Sequence, residues 1–287
     1  MCRLFGMSGG PERVRATFWL LEAPDSLARQ SRREPDGTGL GYFEAGRAVV
    51  EKQPLAAYED QQFAREAREV CSSTFVAHVR YASTGAVRPE NTHPFEMAGR
   101  LFAHNGVIEG LDRLEEELGD AMSEVRGDTD SERFFALITR EAARAGDVGA
   151  GIAAAARWVA GRLPVFALNC VLIAEGELWA LRYPEAHDLF VLERPAGGAG
   201  GSRHLDHASA RGSIRVRSGQ AAGCPVVVLA TERMDEDPGW RPLGSGELLH
   251  VGPDLRTTRT RIIDHPPARP LTLADLGATA AASQREG

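Results

Sequence analysis

Segments with a strand pattern and segments with a helix pattern come in blocks along this chain rather than in strict alternation. Short apolar runs bounded by Gly, Pro, Asn or Ser are typical of strands, and apolar residues spaced three or four apart are typical of helices. The predicted strands are residues 2–7, 39–43, 47–51, 74–79, 100–104, 165–174, 177–183, 189–192 and 225–230; the predicted helices are residues 14–30, interrupted at Pro24, 110–118, 131–144 and 151–161. This order predicts an α+β fold built from antiparallel sheets.

The composition limits the classes of function. A chain of 287 residues with 43% hydrophobic side chains can bury a sizeable core, and a net charge of -7 gives no reason to expect nucleic-acid binding. Lys52 is the only lysine, which excludes a P-loop lysine or a Schiff-base lysine elsewhere in the chain. No signal sequence and no run of roughly 20 apolar residues is present. We therefore expect a cytoplasmic protein that binds neither nucleic acid nor a membrane.

No motif points to a metal or another cofactor. The four cysteines lie far apart without a C-x-x-C pair, as is typical of a reduced intracellular protein. The run Gly37-Thr38-Gly39 lacks the spacing of a dinucleotide-binding loop. His204 and His207 lie in a segment rich in Gly and Arg, residues 195–218, which we expect to be a mobile loop rather than a zinc site. We therefore expect no metal and no cofactor.

Cys2 is the first candidate catalytic residue. Removal of Met1 would leave Cys2 with a free α-amine, whose pKa of roughly 7.7–8.0 suits it to accept the thiol proton. A terminal cysteine thus carries its own base and needs no partner imidazole to become a nucleophile. The alternative is that Cys2 is a small apolar side chain at the start of a strand.

A second candidate site follows the predicted strand 100–104. The amide of Asn105 and the backbone N–H of Gly106 are hydrogen-bond donors, and two such donors directed at one point form an oxyanion hole. Glycine also permits a positive φ or a close approach of neighbouring backbone. The alternative is an ordinary Asn-Gly hairpin turn.

Two charged residues complete the candidate site. Arg80, at the end of a predicted strand, suits bidentate binding of a carboxylate, unless it is a surface ion-pair residue. Asp130 suits binding of a substrate ammonium at the start of a predicted helix, unless Asp130 or Ser131 only caps that helix. We interpret the nearby His78, His93 and His104 as residues that brace these turns by hydrogen bonds, not as metal ligands or bases.

These pieces, in this order, resemble the class II glutamine amidotransferases of the Ntn-hydrolase superfamily. The matching motifs are Met1-Cys2, Asp36-Gly37-x-Gly39, His78-x-Arg80-Tyr81-x-Ser83-x-Gly85, Asn91-x-His93-Pro94, His104-Asn105-Gly106 and Asp130-Ser131-Glu132. Later segments look like the compact, stand-alone branch of the family. The resemblance implies a four-layer αββα sandwich of two antiparallel sheets between helices. We expect one such domain over residues 2–265 and a weakly ordered tail over residues 266–287.

The same resemblance implies a role for each candidate residue. Cys2 is then the nucleophile, Asn105 and Gly106 form the oxyanion hole, Arg80 with Ser83 holds the α-carboxylate, and Asp130 holds the α-ammonium. The expected activity is hydrolysis of glutamine to glutamate and ammonia, which a separate synthase would accept. One alternative is hydrolysis of another γ-glutamyl amide, as in the related enzyme of ergothioneine synthesis. A second alternative, an inactive binding or scaffold protein, predicts loss of Cys2, Asn105 or Asp130, and all three are present.

Overall fold

The computed structural model describes residues 2–81, 88–196, 205–208, 215–218 and 223–284. The strands are β1 (Arg3–Ser8), β2 (Gly37–Glu44), β3 (Arg47–Gln53), β4 (Thr74–Arg80), β5 (Phe95–Met97), β6 (Arg100–Ile108), β7 (Pro164–Ala174), β8 (Glu177–Arg182), β9 (Phe190–Arg194), β10 (Leu205–Ala208), β11 (Arg215–Ser218), β12 (Val226–Ala230), β13 (Arg241–Pro242), β14 (Glu247–Val251), β15 (Thr257–Arg261) and β16 (Arg269–Pro270). The helices are α1 (Leu27–Gln30), α2 (Gln61–Glu69), α3 (Leu111–Leu118), α4 (Asp130–Ala145), α5 (Val148–Arg162) and α6 (Ala278–Gln284). A π-helical turn (Phe18–Glu22) and two 3₁₀ turns (Pro89–Asn91 and Gly119–Glu124) complete them.

The strands form two large antiparallel sheets that pack face to face. The first sheet has the order β13-β9-β12-β1-β4-β2-β3 and the second the order β15-β14-β8-β7-β6-β5. In the first sheet β1 is central, between β12 and β4. In the second sheet β7 lies between β6 and β8, and the short β16 pairs in parallel with its beginning. The strand pair β10–β11 stands apart from both sheets.

Alternation along β1 explains how its residues divide between two cores. Leu4 belongs to the core between the sheets, whereas Phe5 and Met7 belong to the core on the outer face of the first sheet. Successive side chains of a strand point to opposite faces, so Cys2, two positions before Leu4, is directed toward the space between the sheets. The helices α1 and α2 cover the outer face of the first sheet, and α3, α4 and α5 cover that of the second. The predicted four-layer αββα sandwich is therefore confirmed.

The structure confirms one detail of the predicted helices and strands and corrects two others. The helix predicted over residues 14–30 is interrupted at Pro24 as expected: it is divided into the π-helical turn and α1, because Ala23, before Pro24, takes an extended conformation. Strand β6 continues beyond residue 104 to Ile108, so Asn105 and Gly106 lie inside a strand and not in a hairpin turn. The cap of α4 is Thr129, whose side chain accepts a hydrogen bond from the Glu132 N–H at 3.2 Å.

Two further expectations concern the segment 195–218 and the C-terminal tail. The expected mobile loop over residues 195–218 falls largely outside the described residues, which within it include β10 and β11. The domain boundary at residue 265 stays a prediction. The tail was expected to be weakly ordered, but its described residues pack against the second sheet. The Leu271 N–H donates to the Val165 carbonyl at 2.9 Å, and Leu276 and Ala281 are buried against β6 and β7. These few contacts were not predictable from a segment rich in Ala and Pro.

We predict opposite effects of alanine at two glycines. A Cβ on Gly39, in β2, would overlap the His93 carbonyl oxygen, whereas a Cβ on Gly161, on the exposed side of α5, would meet nothing within 4 Å. Gly39→Ala should lower the free energy of unfolding by roughly 1–3 kcal/mol through overpacking. Gly161→Ala should raise it by roughly 0.5–1 kcal/mol because alanine favours the helix. Urea unfolding checks both, and equal values for the two variants would contradict the close approach at Gly39.

Candidate active site

A narrow pocket opens at the edge of the space between the two sheets. It is lined by Cys2 from the start of β1, Arg80 from the end of β4, Asn105 and Gly106 from β6, and Asp130 from the start of α4. Five of the six residues predicted for the site thus come together, although they are separated by up to 128 positions in the sequence. The sixth, Ser83, lies outside the described residues.

The thiol of Cys2 is buried and contacts the backbone that follows β4. The Tyr81 N–H donates to Cys2 Sγ at 3.2 Å, and the Tyr81 carbonyl lies 3.5 Å from the same sulfur. Burial raises the pKa of Cys2 to about 11, and the nearby Glu34 carboxylate acts in the same direction. The thiol is therefore neutral at pH 7 in this environment, and a nucleophilic attack would need a base that takes its proton.

Asn105 connects the second sheet to the first strand of the chain. Its Nδ2 donates to the Cys2 carbonyl oxygen at 2.8 Å. An amide nitrogen carries two hydrogens, so this bond leaves one N–H for another acceptor beside Cys2. The Asn105 Oδ1 is buried and has no hydrogen-bond partner among the described residues. Asn105 is thus fixed next to Cys2 with unused donor capacity.

Gly106 is required by a close approach of β7. A Cβ at this position would overlap the carbonyl oxygen of Ala167 and approach His104 Nε2 to 2.8 Å. The two strands remain in register here, with Gly106 opposite Leu168. The sequence-based expectation of a close backbone approach is therefore correct, but the φ of Gly106 is not positive.

Asp130 is a buried helix-start residue that does not cap its helix. Its Oδ2 accepts a hydrogen bond from the Ile108 N–H at 2.8 Å, next to the register shift that follows Val107 in β6. This bond fixes the carboxylate at the end of the strand that carries Asn105. The charge of this carboxylate, like that of Asp36, acts on the Arg80 guanidinium.

A short hydrogen-bond chain orients the residues around Asp130. His104 Nε2 lies 3.2 Å from the Ala167 carbonyl, which can only accept, so Nε2 carries the proton. Burial lowers the pKa of His104, so the ring is neutral and Nδ1 accepts from Ser131 Oγ at 2.9 Å. Since the Ser131 hydroxyl has one hydrogen, that geometry leaves Asp130 Oδ1, 3.4 Å from Ser131 Oγ, able to accept from another donor. His104 thus braces the site as predicted.

Arg80 is the buried cation of the pocket, with 4% of its surface exposed. Burial lowers the pKa of its guanidinium, while the charges of Asp36 and Asp130 oppose that effect. Its backbone carbonyl also accepts from the Asp36 N–H at 3.0 Å, which ties the end of β4 to the turn before β2. Arg80 is therefore a pocket residue and not a surface ion-pair residue.

The other two histidines of the pocket pack against each other, and His93 differs from its predicted bracing role. His78 and His93 pack ring against ring, with centroids 4.3 Å apart, and Phe95 contacts the other side of His93. Burial lowers the pKa of His78 to about 3 and that of His93 well below its ordinary value. The ring nitrogens of His93 have no hydrogen-bond partner in the described part of the chain. The two neutral rings form an aromatic wall of the pocket, and His93 does not hold its turns by hydrogen bonds.

Two pocket features were missed by the reading of the sequence. Glu34 lies near Cys2, and its position just before the Pro35-Asp36-Gly37 turn was the one signal available. Gln284, from α6, also lines the pocket, and no pattern in the sequence pointed to it. Among the described residues, no three His, Cys, Asp or Glu side chains gather as a metal site, and no helix is long and apolar enough to cross a membrane. The His207 side chain and all of His204 lie outside the description.

Solved structures and curated proteins share this architecture. A glutamine phosphoribosylpyrophosphate amidotransferase from B. subtilis superposes with a TM-score of 0.62 at 19% identity, over 92% of this chain and 50% of that one. A glutamine aminotransferase class-II domain protein from Silicibacter pomeroyi superposes with a TM-score of 0.59 at 18% identity, over 92% of this chain and 100% of that one. The second comparison shows that the fold also occurs as a stand-alone protein.

At the level of sequence, a glutamine–fructose-6-phosphate aminotransferase (isomerizing) from Idiomarina loihiensis is 29% identical over 157 residues, which are 54% of this chain and 25% of that protein. The match thus spans about a quarter of that relative's length. The family model described as glutamine amidotransferases class-II matches residues 1–269. The chain therefore belongs to the class II glutamine amidotransferases.

Proposed function

We propose that this protein hydrolyses the γ-amide of glutamine to glutamate and ammonia, with Cys2 as an N-terminal nucleophile. The observation that carries the proposal is the convergence of Cys2 and the Asn105 amide, 2.8 Å from the Cys2 carbonyl, in one pocket with Arg80 and Asp130. These are the groups that acyl transfer from a glutamyl amide requires: a nucleophile, an oxyanion donor and a partner for each charge of the α-carbon.

In the first step the thiol attacks the amide carbon. The high pKa of the buried thiol means that its proton must leave as the C–S bond forms. After removal of Met1, the α-amine of Cys2 is the base nearest in the covalent structure, with a pKa of roughly 7.7–8.0 in an ordinary environment. The proton then passes to the leaving nitrogen, the C–N bond breaks, and ammonia departs from a γ-glutamyl thioester.

Asn105 and Gly106 would stabilise the tetrahedral intermediate of this step. The second N–H of the Asn105 amide is the donor for the negative oxygen, and the backbone of Gly106 lies next to it in β6. In the second step water attacks the thioester with the α-amine again as base, and glutamate leaves with the thiol restored. The balance is glutamine plus water to glutamate plus ammonia.

Arg80 and Asp130 would bind the α-carboxylate and the α-ammonium of the substrate. Both side chains are buried, so their charges act at low local dielectric and interact strongly with a substrate of complementary charge. Ser83 is proposed to assist Arg80. Because these residues contact only the glutamyl end, the assay should include γ-glutamyl amides of larger amines beside glutamine. Cytoplasmic location and a separate ammonia-accepting synthase stay predictions.

We predict that activity requires a free amino group on Cys2. Protein carrying an uncleaved extension before Cys2 should release ammonia about 10²–10⁴-fold more slowly, because an acylated nitrogen cannot act as the base. Cleavage of the extension to leave Cys2 first should restore activity, and intact-mass measurement reports the terminus in each sample. Full turnover in protein that uniformly retains the extension would exclude the α-amine as the base.

Asn105→Ala should lower kcat about 10²–10³-fold and change KM much less, because an oxyanion donor acts on charge that develops in the transition state. Steady-state ammonia release measures both constants, and urea unfolding controls for loss of the fold. Unchanged turnover in a folded Asn105→Ala variant would limit Asn105 to a structural role, that of holding the Cys2 backbone.

Asp130→Asn should cost roughly 10–150-fold in kcat/KM for glutamine, since a hydrogen bond to a charged group contributes about 1.5–3 kcal/mol. Asparagine can still accept from the Ile108 N–H, so the variant removes the charge and keeps the structural bond. The matched control is Asp128→Asn, two positions away on an exposed side chain, which should leave kcat/KM unchanged.

Comparison of wild type with Asp130→Asn also tests which charge of the substrate Asp130 binds. Against a γ-amide that lacks the α-ammonium, wild type should be slow and Asp130→Asn should lose little further activity. An equal loss with both amides would mean that Asp130 supports the strand end and does not bind the substrate.

A further inference from the structure

The C-terminal segment of the chain reaches the pocket that contains Cys2. Gln284, at the end of α6, is buried and lines this pocket together with Cys2, Asn105 and Gly106. With this segment in place the cavity has a volume of about 20 Å³, which is room for about one water molecule. Glutamine has ten non-hydrogen atoms and does not fit in that space. This space must therefore grow before the substrate reaches the thiol, and removal of Met1 or movement of a lining element would enlarge it.

Hydrogen bonds hold the Gln284 side chain on the side of the second sheet. Its Oε1 lies 2.9 Å from His187 Nε2, and its Nε2 donates to Ser283 Oγ at 3.1 Å. The His187 carbonyl in turn accepts from Asn169 Nδ2 at 3.1 Å, and Asn169 is the β7 residue directly opposite Asn105. The amide of Gln284 is thus anchored next to the strand pair that carries the oxyanion residues.

Little apolar surface anchors the rest of the segment. Leu276 and Ala281 are its two buried apolar side chains, in a small cluster against Val107, Phe166 and Ala167. The helix α6 has seven residues, and isolated helices of that length are not stable in water. Docking of α6 therefore depends on this cluster and on Gln284, and a modest free energy suffices to release it.

The segment also lies beyond the residues that the family model matches. The model matches residues 1–269, and α6 with Gln284 follows them. Among the described pocket residues, Gln284 is the one that comes from this C-terminal segment.

We propose that residues 271–284 form an autoinhibitory cover, in which docked α6 holds Gln284 in the wall of the Cys2 pocket and competes with the substrate for that space. Release of α6 opens the pocket, and docking closes it. The consequence for glutamine hydrolysis rests on the proposed function, but the access of reagents to Cys2 does not.

Two adjacent alanines provide a matched test. Ala281 is buried in the docking cluster, whereas Ala282 is exposed on the same helix. Ala281→Asp places a charge in the apolar contact and should undock α6, and Ala282→Asp adds the same charge where it meets water. The rate of Cys2 alkylation by iodoacetamide, measured by mass spectrometry of the Cys2 peptide, reports access directly. A chain that ends at Pro270 is the second variant designed to open the pocket, since it lacks the cover completely.

Iodoacetamide should alkylate Cys2 about tenfold faster in Ala281→Asp and in the shortened chain than in wild type, because a mostly closed population becomes mostly open. In Ala282→Asp the rate should equal that of wild type. The KM for glutamine should fall with the same pattern. Equal alkylation in all four proteins overturns the proposal, and so does a parallel rise at Cys71, Cys170 and Cys224, which signals general loosening. If alkylation follows the expected pattern but no variant hydrolyses glutamine, the cover stands and the proposed function fails.

Discussion

The hydrogen bond from Asn105 Nδ2 to the Cys2 carbonyl joins the two sheets at the place where the chain begins. A strand so close to the terminus would fray without a tertiary contact, and this bond, with the pairing of β1 between β4 and β12, fixes it. The same bond sets the distance between the thiol and the amide of Asn105. This interaction therefore contributes both to the stability of the first strand and to the geometry of the candidate site.

Burial determines the chemistry of the surrounding groups. It raises the pKa of Cys2 and lowers those of His78, His93 and His104, so the pocket contains a neutral thiol and neutral imidazoles. The charged side chains that line the pocket are those of Arg80 and Asp130, and the Glu34 carboxylate lies near Cys2. The proposed binding of a zwitterionic amino acid rests on the first two, because each charge of the ligand would then have a partner of opposite sign.

Several elements could be predicted from local patterns, and others could not. The hairpin of β2 and β3, helices α3 to α5 and most strands follow from apolar periodicity and turn residues, which act over a few positions. The extension of β6 through Asn105 and Gly106 was missed because Asn-Gly favours a turn locally, and pairing with β7 overrides that preference. Thr129 was missed as the cap because Asp and Ser are equally good caps in isolation.

The sequence by itself determined the residue types of the site, their order and the family, because the motifs around Cys2, Arg80, Asn105 and Asp130 are local and chemically specific. Only the tertiary structure decided that Asn105 lies inside a strand, that the Asp130 carboxylate is held by the Ile108 N–H, and that Gln284 lines the pocket. These contacts join residues that are distant along the chain. Their free energy comes from sheet pairing and apolar burial across the whole sandwich, which no short stretch of sequence contains.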